Sequence, residues 1–316
     1  MTHPSRSLSR RSFLSSSATS IALAASGASA QETSLAWQPQ FMIASCMYGM
    51  ADLSGILPEL DRLGCRRIDL WPRVHGSQRE QVDEMGITQF QSMCDEYDVR
   101  VACLSQYKLG AFGLADEIVV ASQLDCPRIV VHAGGRPGKT WPETRDAIKR
   151  FVAQIQPTLE LAGEHDVRIV VENHGSTMLD SFDAIDCFLD HIKHPQLRLA
   201  LAPAHLSSRS ESPELAESIA RLIHRAGPRL DLFYAWQHGD GFRTALPMPQ
   251  QRQQMPGTGP LDFAPAMKAL AATHFTGVIE VMMHPTPRGI PIAPSITGVT
   301  DAIDQSHQYL RKCLSS

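Results

Sequence analysis

Short apolar runs alternate with longer segments of helical period along the chain from Phe41 to its end. Eight of these runs are short enough to be strands, and each carries several Val, Ile, Leu or Phe residues. They begin at Phe41, Arg66 or Arg67, Val99, Pro127, Val167, Leu197, Arg229 and Phe275. In the segments between them, apolar positions recur at intervals of three and four residues, which predicts amphipathic helices. This alternation is typical of repeated strand–helix units that build a parallel sheet.

Eight strand–helix pairs in one domain favour a closed (β/α)8 barrel, a TIM barrel spanning residues 31–316, over an open doubly wound sheet. An open sheet should carry a Gly-rich phosphate loop after its first strand, and the segment GMADLSG from Gly49 is not such a loop. Ser181 is placed to cap the N-terminus of a helix, and Gly64 is placed to end one. The sequence therefore predicts an α/β protein with a single barrel domain.

The first thirty residues resemble a twin-arginine signal peptide. Arg10 and Arg11 precede an apolar pair, residues 18–28 are mildly apolar, and Ala28-Ser29-Ala30 suits a cleavage site. This pattern predicts export by the Tat machinery to the periplasm or the cell exterior, although a disordered Ser/Ala-rich N-terminus would look similar. No later segment approaches twenty apolar residues, so we expect no permanent membrane anchor.

Charge and cysteine content narrow the range of partners. The net charge is -4 with a pI near 6.3, and no basic stripe is visible, which argues against nucleic acid as a partner. The seven cysteines contain no C-x-x-C pair, and several lie in apolar runs, so we expect small core side chains. A homo-oligomer is compatible with this composition.

Two acidic residues interrupt apolar runs near the ends of predicted strands. Glu172 follows IVV on the fifth strand, and Glu280 follows GVI on the eighth. An unpaired carboxylate in such a position would cost several kcal/mol to desolvate. A metal cation, a shared proton, or histidine and arginine partners could each stabilise them. Two buried acids that merely order the barrel rim are the alternative.

Strand C-termini of a parallel barrel open on one face, so polar residues at these ends should converge. The residues selected by this test are His132, Asn173, His174, His205, Gln237, His238 and His284. Trp71 and Tyr107, with Asp69 and Lys108 beside them, could line a polyol pocket, because aromatic faces pack against sugar C–H groups. Packing at the barrel rim is the alternative for these residues. The long segment from Trp236 to Phe263 should lie over the same face.

Three motifs carry a resemblance to a known family. They are VVENHG on the fifth strand, PGTGPLDF before the last helical segments, and GVIEV on the eighth strand. Together they resemble the xylose isomerase-like barrel superfamily, which includes sugar phosphate isomerases and epimerases, ketose 3-epimerases, inosose dehydratases and, more distantly, endonuclease IV. Endonuclease activity is disfavoured, because that class needs a three-metal cluster and a basic surface for DNA.

The resemblance implies a divalent metal, Mn²⁺, Mg²⁺ or Co²⁺, held by Glu172, Glu280 and His205. In the family, the strand-six motif D-x-x-H begins with an Asp, but this chain has Ala202 there, so one expected carboxylate is missing. His238 is the histidine nearest to the strand-seven ligand position. Losing a carboxylate weakens such a site and changes its net charge.

The resemblance further implies a sugar isomerase or epimerase that removes a proton next to the carbonyl of a free sugar or keto-sugar. The catalytic residues expected from it are Glu172, Glu280 and His205. The substrate contacts expected are His132, Asn173, His174, Trp71 and Trp236. Two alternatives stay open: a lyase or hydratase acting on 3-keto sugars or glycosides, and a sugar-binding barrel without catalysis.

Overall fold

A computed structural model describes residues 37–207, 214–237 and 245–315. Eight parallel strands form a closed barrel in the order β1 to β8, with β8 paired to β1. The strands are β1 (Phe41–Ala44), β2 (Arg67–Leu70), β3 (Arg100–Ser105), β4 (Arg128–His132), β5 (Arg168–Glu172), β6 (Leu197–Leu201), β7 (Leu230–Ala235) and β8 (Val278–Val281). Each lies within a run that the sequence predicted, so the single-domain TIM barrel is confirmed.

Helices connect successive strands and cover the outside of the barrel. They are α1 (Leu53–Leu63), α2 (Gln78–Met85), α3 (Ile87–Glu96), α4 (Ala115–Gln123), α5 (Trp141–Gln154), α6 (Gln156–Glu164), α7 (Phe182–His191), α8 (Pro203–Ser207), α9 (Leu215–Ala226), α10 (Met248–Gln251), α11 (Ala264–Ala272) and α12 (Ile296–Lys312). Short 3-10 helices span Ser45–Tyr48, Gly227–Arg229 and Arg252–Gln254.

Local sequence signals set the ends of these helices as expected. The Ser181 hydroxyl accepts a hydrogen bond from the Ala184 amide at 3.3 Å at the start of α7. Gly64 follows α1 with φ of 64°, in the left-handed region that glycine adopts without a steric penalty. Both signals confirm the sequence-based predictions.

The core fills the barrel interior and the layer between strands and helices. All seven cysteines are free thiols buried within it, as predicted. At the amino ends of the strands, Asp231 on β7 accepts from Arg128 at 3.1 Å and from Arg168 at 2.8 Å. These charges are buried or partly buried, and the ion pairs join three strands at the end of the barrel opposite the strand C-termini.

Two sequence-based predictions concern residues outside the ranges that the structure describes. The signal peptide at residues 1–30 and the candidate metal ligand His238 lie outside the described residues. Within the described ranges, no helix is both long enough and apolar enough to span a membrane.

Candidate active site

A cavity of about 270 Å³ opens where the strands end, and every strand from β2 to β8 contributes to its wall directly or through the loop that follows. Four of its lining residues are the predicted contacts Trp71, His132, His174 and Trp236, and two more are Glu172 and His205. The remaining lining residues are His75, Tyr107, His284 and Arg288. The convergence predicted from strand-end polarity is therefore present for most of the candidate residues.

Glu172, His174 and His205 form the tightest polar group in this cavity. The Glu172 Oε1 atom lies 3.6 Å from His205 Nε2. One ligand atom from each of the three residues lies within 4.8 Å of the others. Burial alone would raise the pKa of Glu172, but the neighbouring His205 outweighs it and holds that pKa below its usual range.

Hydrogen bonding fixes the proton position of two cavity imidazoles. His174 Nδ1 lies 3.0 Å from the Gly175 carbonyl oxygen, which can only accept, so Nδ1 carries the proton and Nε2 bears the lone pair. His132 has the opposite arrangement, because its Nδ1 accepts from the Gly134 amide at 2.9 Å. A neutral His132 therefore carries its proton on Nε2, where it is available to a substrate oxygen.

Aromatic rings surround this polar group. Trp71 lies 5.3 Å from the Tyr107 ring centroid, and Trp236 meets His205 edge-on at 4.9 Å. The Tyr107 hydroxyl bonds to the Tyr234 hydroxyl at 3.0 Å inside the barrel. Apolar ring faces beside charged and hydrogen-bonding groups are suited to a ligand with both C–H and hydroxyl surfaces.

Part of the long segment after β7 holds the cavity wall in position. The Gln254 Oε1 atom accepts from Trp236 Nε1 at 3.1 Å and from the His284 amide at 3.1 Å. Its Nε2 atom donates to the His284 carbonyl at 3.0 Å. This glutamine therefore fixes two lining residues that follow different strands. The prediction that the segment lies over the active face is correct for this portion of it.

Three cavity residues lie on loops well beyond the strand ends. His75 and His284 face each other with ring centroids 4.7 Å apart, and Arg288 lies near both. Burial and then the Arg288 charge lower the pKa of His75 to about 4, and the same two causes lower the pKa of His284 well below its ordinary value. Both imidazoles are therefore neutral at pH 7. Of these three residues, only His284 was predicted from the sequence to lie at this face of the barrel.

Glu280 occupies a different place from the one predicted. Its side chain is completely buried and does not line the cavity. Glu172 is the last residue of β5, whereas Glu280 precedes the last residue of β8. The segment that follows β8 first lines the cavity at His284. Neither carboxylate oxygen has a hydrogen-bond partner among the described residues. Burial and then the nearby Asp69 raise the pKa of Glu280 well above its ordinary value.

Asp69 is the acid that interacts with Glu280. It accepts from the Ser105 hydroxyl at 2.6 Å, and burial raises its pKa to about 6. Burial and the neighbouring Asp69 charge both favour the protonated form of Glu280. Among the described residues, the group whose ligand atoms lie together is Glu172, His174 and His205, and Glu280 is not in it.

Asn173 also differs from its predicted role as a substrate contact. It is fully buried, and both ends of its side-chain amide bond to the backbone of Ala202. Its Nδ2 atom donates to the Ala202 carbonyl at 3.1 Å, and its Oδ1 atom accepts from the Ala202 amide at 2.6 Å. The side chain therefore joins the ends of β5 and β6, and it is buried away from the cavity lining.

The donor set of Glu172, His174 and His205 fits a transition-metal ion. Two imidazoles with one carboxylate is a donor combination found at catalytic zinc sites. Imidazole nitrogen suits Zn²⁺ and Co²⁺ better than Mg²⁺, which prefers oxygen. The bond from His174 Nδ1 to a backbone carbonyl is the outer contact that metal-binding histidines usually make. These three donors can bind an ion without the carboxylate that the resemblance implies at the position of Ala202.

A family model described as xylose isomerase-like TIM barrel matches residues 57–313. The chain belongs to this family. The match includes β2 to β8 and all the cavity residues named above, so the family resemblance inferred from three sequence motifs is confirmed. A search of the curated proteins found no match.

Solved structures of the same fold cover most of the chain. The IOLI protein with a bound zinc atom shares 12% identity and a TM-score of 0.67, covering 88% of this chain and all of that one. D-psicose 3-epimerase with D-tagatose from Clostridium cellulolyticum H10 shares 14% identity and a TM-score of 0.63, covering 87% and 99%. A probable 3-DHS dehydratase, AsbF, from Bacillus anthracis shares 11% identity and a TM-score of 0.63, covering 85% and 98%. At these identities the likeness shows a common fold.

Proposed function

We propose that this protein is a sugar-processing enzyme that removes a proton next to the carbonyl of a free sugar or keto-sugar. The observation that carries the proposal is the group of Glu172, His174 and His205 in a cavity walled by Trp71 and Trp236. Epimerases and a dehydratase among the structures of the same fold support a carbohydrate substrate. Aromatic walls bind the apolar faces of a sugar ring, and the imidazoles supply polar contacts to its hydroxyls.

We assign the three residues of this group to a divalent metal, with Zn²⁺, Co²⁺ or Mn²⁺ preferred to Mg²⁺ because two of the donors are imidazoles. A divalent ion bound there would polarise the substrate carbonyl and make the adjacent C–H bond more acidic. His132 would donate its Nε2 proton to a substrate oxygen as negative charge develops there.

The proton-accepting group in this proposal is Glu172, the one carboxylate that lines the cavity among the described residues. In a closed barrel of eight strands, β5 faces β1, and β2 and β8 are the neighbours of β1. His75 and His284, on the loops after β2 and β8, therefore lie on the wall opposite Glu172. Polar groups on both sides would hold a bound sugar for epimerisation, in which a proton leaves one face and another returns to the opposite face.

A lyase or dehydratase is the second candidate. It is favoured by the position of Glu280, since the pair of carboxylates implied by the epimerase resemblance does not meet in the cavity. Elimination needs a base for the proton and a group that stabilises the leaving hydroxyl, and Glu172 with a hydrogen bond from His132 would supply them. The dehydratase among the structures of the same fold supports this alternative.

Incubation of the purified protein with keto-sugars in D₂O, with and without added Zn²⁺, Co²⁺ or Mn²⁺, would test both candidates. Epimerisation gives deuterium at carbon with the carbon skeleton unchanged, whereas dehydration gives the ultraviolet absorbance of a conjugated carbonyl. Glu172→Gln should abolish either signal, and Glu164→Gln, an exposed acid on α6, should leave it unchanged. Sugar binding without exchange in the wild type would instead favour the non-catalytic alternative.

We also propose that the protein is exported, on the basis of residues 1–30 alone. Cell fractionation of the full-length protein and of a variant with Arg10→Lys and Arg11→Lys would test this proposal. Loss of export in the variant is expected, because the twin-arginine route depends on this pair. Equal distribution of the two proteins would contradict the proposal.

A further inference from the structure

A second cavity adjoins the proposed catalytic one. It has a volume of about 540 Å³, and it shares Trp71, His75 and Tyr107 with the first cavity. Its remaining wall includes Pro72 and Val74. A group bound in this groove would therefore touch the same three residues as a sugar bound in the first cavity. The volume lies within the range of about 300–1,000 Å³ that small-molecule sites usually have.

The groove ends at an exposed apolar rim. Val74 is 58% exposed, and Met50 is 44% exposed. Gly289, next to Arg288, lies between them, because a Cβ atom there would be 2.5 Å from Met50 Cε and 3.0 Å from the Val74 carbonyl. The apolar surface thus runs from the proposed catalytic cavity outward to solvent.

Two cations lie along the same groove. Arg73 and Lys108 both line it, and both are exposed. Within the described residues, neither side chain forms an ion pair with an acid: Glu80 accepts only from the Arg73 backbone amide, at 3.1 Å and 3.2 Å. The apolar side chains of this groove, beside two such cations, are complementary to an aromatic group that carries negative charge.

We propose that this groove binds the aromatic aglycone of a glycoside, with a preference for one that bears an acidic substituent. The sugar ring would occupy the first cavity, and the aglycone would lie on Trp71 and Tyr107 and extend toward Val74. This inference rests on the proposed function, because it assigns the sugar to the Glu172 cavity. It narrows the substrate class to keto derivatives of aryl glycosides, with the aryl glycosides themselves as ligands that bind without reacting.

A second copy of this chain is a less suitable occupant. The groove shares three lining residues with the first cavity, so a protein surface seated in it would compete with the bound sugar for these residues. A small group linked to the bound sugar fills the groove without this conflict.

Calorimetric titration of the wild-type protein with matched methyl, phenyl and 4-carboxyphenyl glycosides would test the proposal. Glucosides, galactosides and xylosides are used as probes. They contain no carbonyl next to a ring carbon, so binding is measured without turnover. For at least one sugar we expect the phenyl glycoside to bind roughly tenfold more tightly than the methyl glycoside, after the cost of ordering the ring. The 4-carboxyphenyl glycoside should bind about threefold more tightly again, with this gain lost at high salt.

Val74→Asp and Val119→Asp form a matched pair of variants. Val74 lines the groove, whereas Val119 is 40% exposed on α4 and lines neither cavity. Val74→Asp should reduce the phenyl preference to about threefold or less and remove the preference for the acidic ring, since it places a like charge beside it. Val119→Asp should change neither ratio. Lys108→Ala should remove only the preference for the acidic ring.

Equal affinities of methyl and phenyl glycosides, or the absence of binding by every phenyl glycoside, would overturn the proposal. So would equal effects of the two valine variants. Sedimentation analysis adds a further check: a wild-type dimer that Val74→Asp dissociates would mean that the groove is an interface between copies. Failure of the proposed proton abstraction would be seen separately, as no exchange on free keto-sugars despite a retained phenyl preference.

Discussion

The side chain of Asn173 offers a direct distinction between a structural role and a substrate-binding role. Asn173→Ala removes two buried hydrogen bonds to the backbone of Ala202, at 3.1 Å and 2.6 Å. Each bond contributes about 1 kcal/mol, and the buried Ala202 amide left without a partner adds a penalty of about 1–2 kcal/mol. We therefore expect the free energy of unfolding to fall by roughly 3 kcal/mol.

For a large domain, a change of 1 kcal/mol shifts Tm by roughly 2 °C, so Asn173→Ala should lower Tm by about 6 °C. Thermal unfolding followed by circular dichroism would measure this shift. Gln91→Ala is the control, because it removes an exposed amide that donates to the Gln123 carbonyl at 2.8 Å and should change Tm by about 1 °C or less. An unchanged Tm with a raised KM for the sugar would refute the structural role and restore Asn173 as a substrate contact.

Two further predictions concern the barrel interior. Asp231→Asn should lower the free energy of unfolding at pH 7 by about 3–5 kcal/mol in urea titrations, because it leaves the buried Arg128 without a charged partner. Burial would raise the pKa of Asp231, but Arg128 and Arg168 hold that pKa below its usual value. The stabilisation by Asp231 is therefore present above about pH 4 and is lost as pH falls. Equal acid sensitivity of the wild type and Asp231→Asn would count against this role of Asp231. Tyr107→Phe and Tyr234→Phe should each lower the free energy of unfolding by about 1–2 kcal/mol in urea titrations, because each leaves one hydroxyl unpaired. The double variant should lower it by less than the sum of the two single variants. Strict additivity would show that the 3.0 Å hydrogen bond contributes nothing.

The fold was accessible from the sequence because parallel strands covered on both faces read as continuous apolar runs. The runs that contain Ile169 to Val171 and Leu199 to Leu201 are fully buried in the structure, as this interpretation requires. Helix ends at Ser181 and Gly64 followed from side-chain capping and from the backbone freedom of glycine. These signals are local, so no knowledge of the tertiary arrangement was needed.

Only part of the site could be predicted from the sequence, because the rest depends on the three-dimensional arrangement of strands and loops. Glu172 and His174 are two residues apart and line one cavity, while Asn173 between them faces elsewhere, as strand alternation would have indicated. The depth of Glu280 depends on the stagger of strands around the barrel, which the sequence of one strand does not contain. His75 and Arg288 lie on loops several residues beyond a strand end, so their approach to the cavity depends on loop conformation.

We propose Glu172, His174 and His205 as the metal-binding group, without Glu280. The most direct measurement is metal content by mass spectrometry after chelation and dialysis against Zn²⁺ or Co²⁺, for the wild type and three single variants. We expect about one ion per chain in the wild type and in Glu280→Gln, and a loss of most of it in Glu172→Gln and His174→Gln. A wild type without metal, or a Glu280→Gln variant that loses the ion as Glu172→Gln does, would contradict this assignment of the metal-binding residues.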